Sequence, residues 1–315
     1  MKNYFFILFA AGAIQSVVFG GRQTIPLSIE GINLASTVNY LEISFAFAVG
    51  QLISGAVTPL GGVISDKYGS GKTLLLGIVI STLGCFLIPF STTPLMLVLS
   101  IGILSAGGSG IAGLPVIMSA VNKLVPPEKS GMAFGFVNAG GSVGQFLFAP
   151  LAGLMIINYG WQASIFAICA LLLMILPLVW ILRHQPEKKK KIQAGDNLTL
   201  SKALSLAFNT PSYILLISGF FVCGFHVAFI ITHMPGVIVA CGLSVNVTGW
   251  SLAVIGFFNI LGSLYAGWHI SKRSMKIFLS YIYGARAIIV ILFLLSPKDV
   301  TSIMFFSAAL GFTYL

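Results

Sequence analysis

The chain has 315 residues, of which 57% are hydrophobic and only 8% charged, with a formal net charge of +10. A soluble domain carries roughly a quarter charged residues, so this chain has too few to cover a water-facing surface. Long apolar runs need about 20 residues each to cross a bilayer, and backbone in lipid must bond to itself, which selects helices. The expected class is an all-α membrane protein.

Apolar runs and their breaks predict ten helices, near 4–29, 38–60, 73–90, 95–121, 131–157, 162–183, 211–236, 247–268, 277–296 and 300–315. The first begins after Lys2 and ends in Gly20-Gly21-Arg22, too long for a cleaved leader, so it is expected to be retained. Turn residues at Ser91-Thr92-Thr93-Pro94, Pro126-Pro127-Glu128-Lys129 and Asn158-Tyr159-Gly160 separate the following spans. A polar stretch over 184–210, holding Lys188, Lys189, Lys190 and Lys191, is the one long linker. It divides the chain into 1–183, with six helices, and 211–315, with about four. Sixteen residues from 300 to 315 span about 24 Å, short of the roughly 30 Å hydrocarbon core.

Most basic residues, among them Lys2, Lys67, Lys72, Lys123, Arg183, Lys272 and Arg273, fall on one side of this threading. Only Lys298 falls opposite, while Arg22 and Arg286 lie within spans. That asymmetry marks topology, not nucleic-acid binding, and puts the N-terminus in the cytoplasm of a multi-pass plasma-membrane protein, the inner membrane in a bacterium. Cys85, Cys169, Cys223 and Cys241 form no Cys-x-x-Cys pair, so no metal site, disulfide framework or cofactor is expected.

Between the second and third predicted helices runs Gly61-Gly62-Val63-Ile64-Ser65-Asp66-Lys67-Tyr68-Gly69-Ser70-Gly71-Lys72, read as a short charged turn. Gly62, Asp66, Lys67, Gly69 and Lys72 match the loop 2–3 pattern Gly-x-x-x-Asp-Arg/Lys-x-Gly-x-x-Arg/Lys, so the chain resembles the major facilitator superfamily. The end of the segment also resembles a phosphate-binding loop, but its first glycine would fall on Asp66 and a span precedes it, which excludes that reading. Gly267, Ser271, Lys272, Arg273 and Lys276 form a degenerate second copy after the eighth helix. The resemblance implies two six-helix bundles rocking around a central site. Here it implies a full first bundle, an incomplete second one, and a chain truncated in its tenth helix. It also implies that the loop 2–3 residues are a conformational gate, with Asp66 set against a helix near the eleventh span.

Residues seven apart lie about 20° apart around a helix, and several spans place polar residues at that interval. Gln15 and Arg22 share a face of helix 1, Ser44, Gln51 and Thr58 of helix 2, Asn138, Ser142 and Gln145 cluster on helix 5, and His226 and His233 share a face of helix 7. Asn259 and Ser263 follow at a step of four. Such residues either line an aqueous path or bond neighbouring helices together. The glycines from Gly135 to Gly144 serve either close packing or bending. Arg22, His226, His233 and Arg286 are ionisable groups at membrane depth and so candidates for substrate or proton contact. Glu42, at the start of helix 2, is the only carboxylate assigned near a span. Cations without acids favour an anionic substrate.

Softer matches at Gly21-Arg22-Gln23-Thr24, Gly160-Trp161-Gln162-Ala163 and Gly224-Phe225-His226 with His233-Met234-Pro235 resemble the bacterial monocarboxylate-transporter-like group. That implies a monomeric secondary transporter, not an enzyme, moving a small organic anion with a coupled proton or in exchange. The arginine of helix 8 that carboxylate carriers use is missing here. Competing expectations are a drug or sugar carrier, a transporter-like sensor, and a non-transporting fragment.

Overall fold

The computed structural model describes residues 4–126, 130–182, 205–206, 208–270 and 275–314. Among these there are ten membrane-length or near-length rods and no strand. We number them α1 (Tyr4–Ala35), α2 (Tyr40–Tyr68), α3 (Ser70–Phe90), α4 (Pro94–Asn122), α5 (Ser130–Tyr159), α6 (Trp161–Val179), α7 (Pro211–Ala240), α8 (Val245–Ile270), α9 (Met275–Leu295) and α10 (Val300–Phe312). Nine have a stretch long and apolar enough to cross a membrane, and α10 is shorter. The lysine block at 188–191, Lys2, Arg183 and the residues Ser271 to Arg273 of the second motif copy lie outside the described residues.

Two rods differ from the sequence expectation in ways that matter for the site. The first runs on past 29, and its backbone changes winding on the way. It is α-helical to Gln15, widens to π turns over Ser16–Gly20, then tightens to a 3-10 segment over Ile25–Ser28 around Pro26. Proline has no N–H to donate and its ring crowds the preceding turn, so the regular ladder cannot pass through it. The expected turn over 61–72 is a single residue. α2 continues to Tyr68, Gly69 turns with φ of 94°, and α3 starts at Ser70. A positive φ is open to glycine without steric cost, which lets two antiparallel rods join through one residue.

Glycines set the approach of the rods in the first half. A Cβ built on Gly144 would lie 2.1 Å from Ser16 O, and one on Gly140 2.5 Å from Gly12 O, so α1 and α5 touch backbone to backbone. Gly77, Gly84 and Gly108 bring α3 and α4 together in the same way. Small residues at crossings permit this contact, which substitutes for the missing hydrophobic drive between helices in lipid.

One apolar core is built from residues between Ile7 and Leu182, and a second from α7, α8 and α10 with Ala149 and Ala152 of α5 and Leu27 of α1. The two meet chiefly where α8 lies along α5. Gly249 sits under Ala149 O and Gly256 under Ser142 O, where added Cβ atoms would be 2.8 Å away in each case. Near the opposite end from Gly69, Leu27 packs with Ile230, Ile231, Met234 and Ile238 and closes the seam. Towards the Gly69 end the halves part, and the first part of α7 is exposed, including Phe220 at 69% and Phe225 at 65%.

Candidate functional site

Where the halves part they enclose a cavity of about 440 Å3. Its walls are Gln15, Val18, Phe19 and Arg22 of α1, Ser54 and Thr58 of α2, Ser109, Gly110, Gly113, Leu114 and Pro115 of α4, and Asn138 and Ser142 of α5. The second half adds Val227, Asn259, Ser263 and Tyr314. Arg22 is the only charged side chain on this wall among the described residues.

The widened turns over Ser16–Gly20 sit immediately before Arg22, and both helices that approach this region are glycine-lined. The guanidinium donates from Nη1 to Ser54 Oγ (2.9 Å) and from Nη2 to Gln51 Oε1 (3.2 Å). Both partners are neutral acceptors, so they orient the cation without cancelling its charge. Two of its five N–H groups are engaged. On the same wall, Gln15 Oε1 and Tyr314 Oη are buried without a hydrogen-bond partner among the described residues. Across the cavity, Asn259 Nδ2 donates to Ser142 Oγ (2.9 Å), and Ser263 Oγ donates to Asn259 Oδ1 (3.4 Å). The first of these bonds ties the second half to the first at the head of the cavity.

Two smaller cavities continue the line towards the closed seam. One, of about 20 Å3, is bounded by Arg22, Gln51, Ser105 and Thr232, and a further one of about 10 Å3 by Glu30, Tyr40 and Thr248. The first pair of cavities shares Arg22 and the second pair shares Pro26. The three spaces therefore form one interrupted route, with Arg22 at the first junction and Pro26 at the second.

The predicted candidates separate on this frame. Gln15, Arg22, Asn138 and Asn259 line the large cavity, and Gln51 the next one. Gln145 is fully buried instead, at the meeting of α5 with Gly20 and Gly256, and neither Oε1 nor Nε2 has a partner among the described residues. Neither His226 nor His233 lines these cavities: α7 turns Val227, Ile231 and Thr232 to them. His233 packs against Phe229, with ring centroids 5.1 Å apart. A seven-residue spacing puts two histidines on one face without saying which neighbour that face meets. Arg286 is buried at the junction of α7, α9 and α10, donating to Thr313 O (2.6 Å) and to Cys223 Sγ (3.4 Å). Tyr283 and Tyr314 present their rings 6.0 Å from its guanidinium.

Glu42 belongs to the fold. Its N–H donates to Asn39 Oδ1 and its Oε2 accepts from the Asn39 N–H, both at 2.9 Å, a reciprocal cap on α2. The carboxylate that reaches the route is Glu30, which the expected end of the first helix at 29 had left outside the span. Ser54 and Tyr314 were missed too; Ser54 is three residues after Gln51, a spacing that shares a helix face.

In the loop 2–3 motif, Asp66, Lys67 and Lys72 are exposed, and Asp66 makes no hydrogen bond or ion pair with a described residue. Lys67 Nζ lies 5.1 Å from the ring of Tyr68. A Cβ on Gly62 would meet nothing within 4 Å, whereas one on Gly61 would lie 2.9 Å from Ile111 O. Close packing here falls to the glycine next to the motif.

The family model described as Major Facilitator Superfamily matches residues 5–315. Human Monocarboxylate transporter 12 is 22% identical over 268 residues, covering 76% of this chain and 52% of its own length. The Fujikurins efflux protein of Gibberella fujikuroi is 26% identical over 231 residues, covering 72% of this chain and 46% of its own length. The chain thus spans about half the length of the curated relatives it matches. Among solved structures, a bacterial homolog to the human lysosomal transporter Spinster, in an inward-facing and unoccupied conformation, superposes with a TM-score of 0.74. It is 14% identical, with 100% of this chain and 73% of that one covered.

Proposed function

The chain belongs to the major facilitator superfamily and is a multi-pass membrane protein, and on that premise we propose that it carries a small organic monoanion by alternating access. One observation carries this reading: Arg22 is the sole charged side chain on the wall of the large cavity among the described residues, and it also borders the cavity beyond. Desolvating a cation without a counter-charge costs several kcal/mol. An anionic solute bound at Arg22 offsets that cost, with charge-assisted hydrogen bonds roughly twice as strong as neutral ones. One cation suits one carboxylate. The amides of Gln15, Asn138 and Asn259 then serve the uncharged remainder of the solute.

The closed seam at Leu27 and the cavity towards Gly69 match one end of a rocking cycle. With the Gly69 turn in the cytoplasm, this is the inward-facing state of a plasma-membrane carrier whose N-terminus is also cytoplasmic. Similarity to proteins named monocarboxylate transporters supports the anion reading. Coupling is by proton symport or anion exchange, and counterflow at clamped pH distinguishes the two.

Uptake into proteoliposomes tests the proposal, using labelled short-chain monocarboxylates, a pentose and a lipophilic cation. Monocarboxylate uptake is expected, with Arg22→Gln lowering it at least tenfold. Pentose or cation uptake that Arg22→Gln leaves intact overturns the assignment of substrate class.

A further inference from the structure

A second, separate hollow of about 240 Å3 lies on the outer surface between the start of α3 and the end of α6, lined by Gly71, Lys72, Leu75, Leu176, Val179 and Trp180. It shares no residue with the transport route. Long-range bonds outside the hollow join the same two helical regions. Ser70 Oγ donates to Leu182 O (3.2 Å), and farther along Cys169 Sγ contacts Thr82 O (3.8 Å). The hollow lies beside this α3–α6 packing.

Its chemistry is divided. Leu75, Leu176, Val179 and Trp180 make an apolar wall, and Trp180 is 68% exposed. Lys72 closes the end nearest the Gly69 turn, is exposed, and makes no hydrogen bond or ion pair with a described residue. An indole at the level where a span meets the headgroups is the usual aromatic anchor. A free ammonium at the same level, beside an apolar hollow that runs into the bilayer, matches a molecule with a negative head and a hydrocarbon tail. Basic pockets between membrane helices hold anionic headgroups on this principle.

We propose that this hollow binds an anionic phospholipid of the leaflet on the Gly69 side, with its phosphate at Lys72 and an acyl chain along Leu75, Val179 and Trp180. The assignment gives Lys72, a residue of the loop 2–3 motif, a partner outside the protein. The ligand also bridges α3 to α6.

The test uses Trp180 as reporter in a variant whose Trp161, Trp250 and Trp268 are replaced by Phe. Bilayers contain brominated-chain phosphatidylglycerol or phosphatidylcholine with identical chains. Stronger quenching by the anionic lipid is expected, with a preference that Lys72→Gln lowers about fivefold and Lys72→Arg retains. Native mass spectrometry of the unaltered chain and of Lys72→Gln is the second measurement, counting retained phosphatidylglycerol, and it stands even if the single-tryptophan variant does not fold. Equal quenching by both lipids, or retention unchanged by Lys72→Gln, overturns the proposal. Displacement of the lipid by inorganic phosphate alone overturns it as well, since the site would then hold a free anion.

Discussion

Replacing Gly144 by alanine puts the α1–α5 crossing to a direct test. The added Cβ would stand 2.1 Å from Ser16 O and 2.7 Å from Ser16 C. Carbon–oxygen contacts settle at about 3.3 Å or more, so the two backbones must separate by roughly 1.2 Å. Backbone cannot rotate aside as a side-chain tip can. Overpacking of this kind costs typically about 1–3 kcal/mol, and the rigid neighbour places this site at the upper end. Alanine regains about 1 kcal/mol through better helix propensity. The net loss is about 2 kcal/mol, or roughly 3 °C in thermal midpoint for a chain of this length. The assay is thermal unfolding of the purified protein in detergent, followed by intrinsic fluorescence. Gly224→Ala is the internal control, because its Cβ would meet nothing within 4 Å, and no drop is expected. A Gly144→Ala midpoint equal to that of the control would refute the backbone contact between α1 and α5.

Gln145→Met should leave stability unchanged or raise it, because the amide is buried with neither atom paired and an apolar replacement of similar shape removes that penalty; a drop in midpoint above 3 °C or so would show that the amide is satisfied. His233→Phe should retain uptake wherever Arg22→Gln abolishes it, since the ring packs against Phe229 away from the route; equal loss in both variants would return His233 to the site. The Asp299 carboxylate accepts the Ser302 N–H (2.7 Å), which holds its pKa below the ordinary value. Its capping contribution is thus full above the unfolded pKa near about 3.9 and fades as pH falls through the lower folded value. Hydrogen-exchange protection at the start of α10 should therefore fall on acidification to that range and become pH-independent in Asp299→Asn; unchanged protection in the natural chain would contradict the cap.

Rod number and approximate position were legible because apolar length is a strong signal in a chain this poor in charge. Ends were less so. The ladder at Tyr40 is set by the Asn39–Glu42 cap, whose short motif reads equally as a lone interfacial acid. The join at Gly69 needs a backbone angle that no hydropathy pattern reports. Within the site, Gln15, Arg22, Asn138 and Asn259 were readable from polar residues in apolar surroundings, since such residues must face protein or water. The same rule picked out His226, His233 and Arg286, none of which lines the three cavities. Distinguishing the two outcomes requires knowing which helices are neighbours. Arg286 finds Thr313 and Cys223 through pairings 27 and 63 residues apart in the chain, and neither is visible locally. Glu30 was lost because the apolar run was ended near 29, one residue short of it, whereas the rod continues to Ala35.

The altered winding of α1 has a mechanical consequence. Below it, Gly12 is clasped by Gly140, and within it Ser16 and Gly20 lie against Gly144; above it, Leu27 rests among aliphatic side chains of α7. A rod whose ladder is already irregular bends there with few further bonds to break. On the carrier reading proposed above, a bend beyond Gly20 moves the Leu27 arm while the Gly12 arm stays against α5. Arg22, two residues past Gly20, then travels little between the two states.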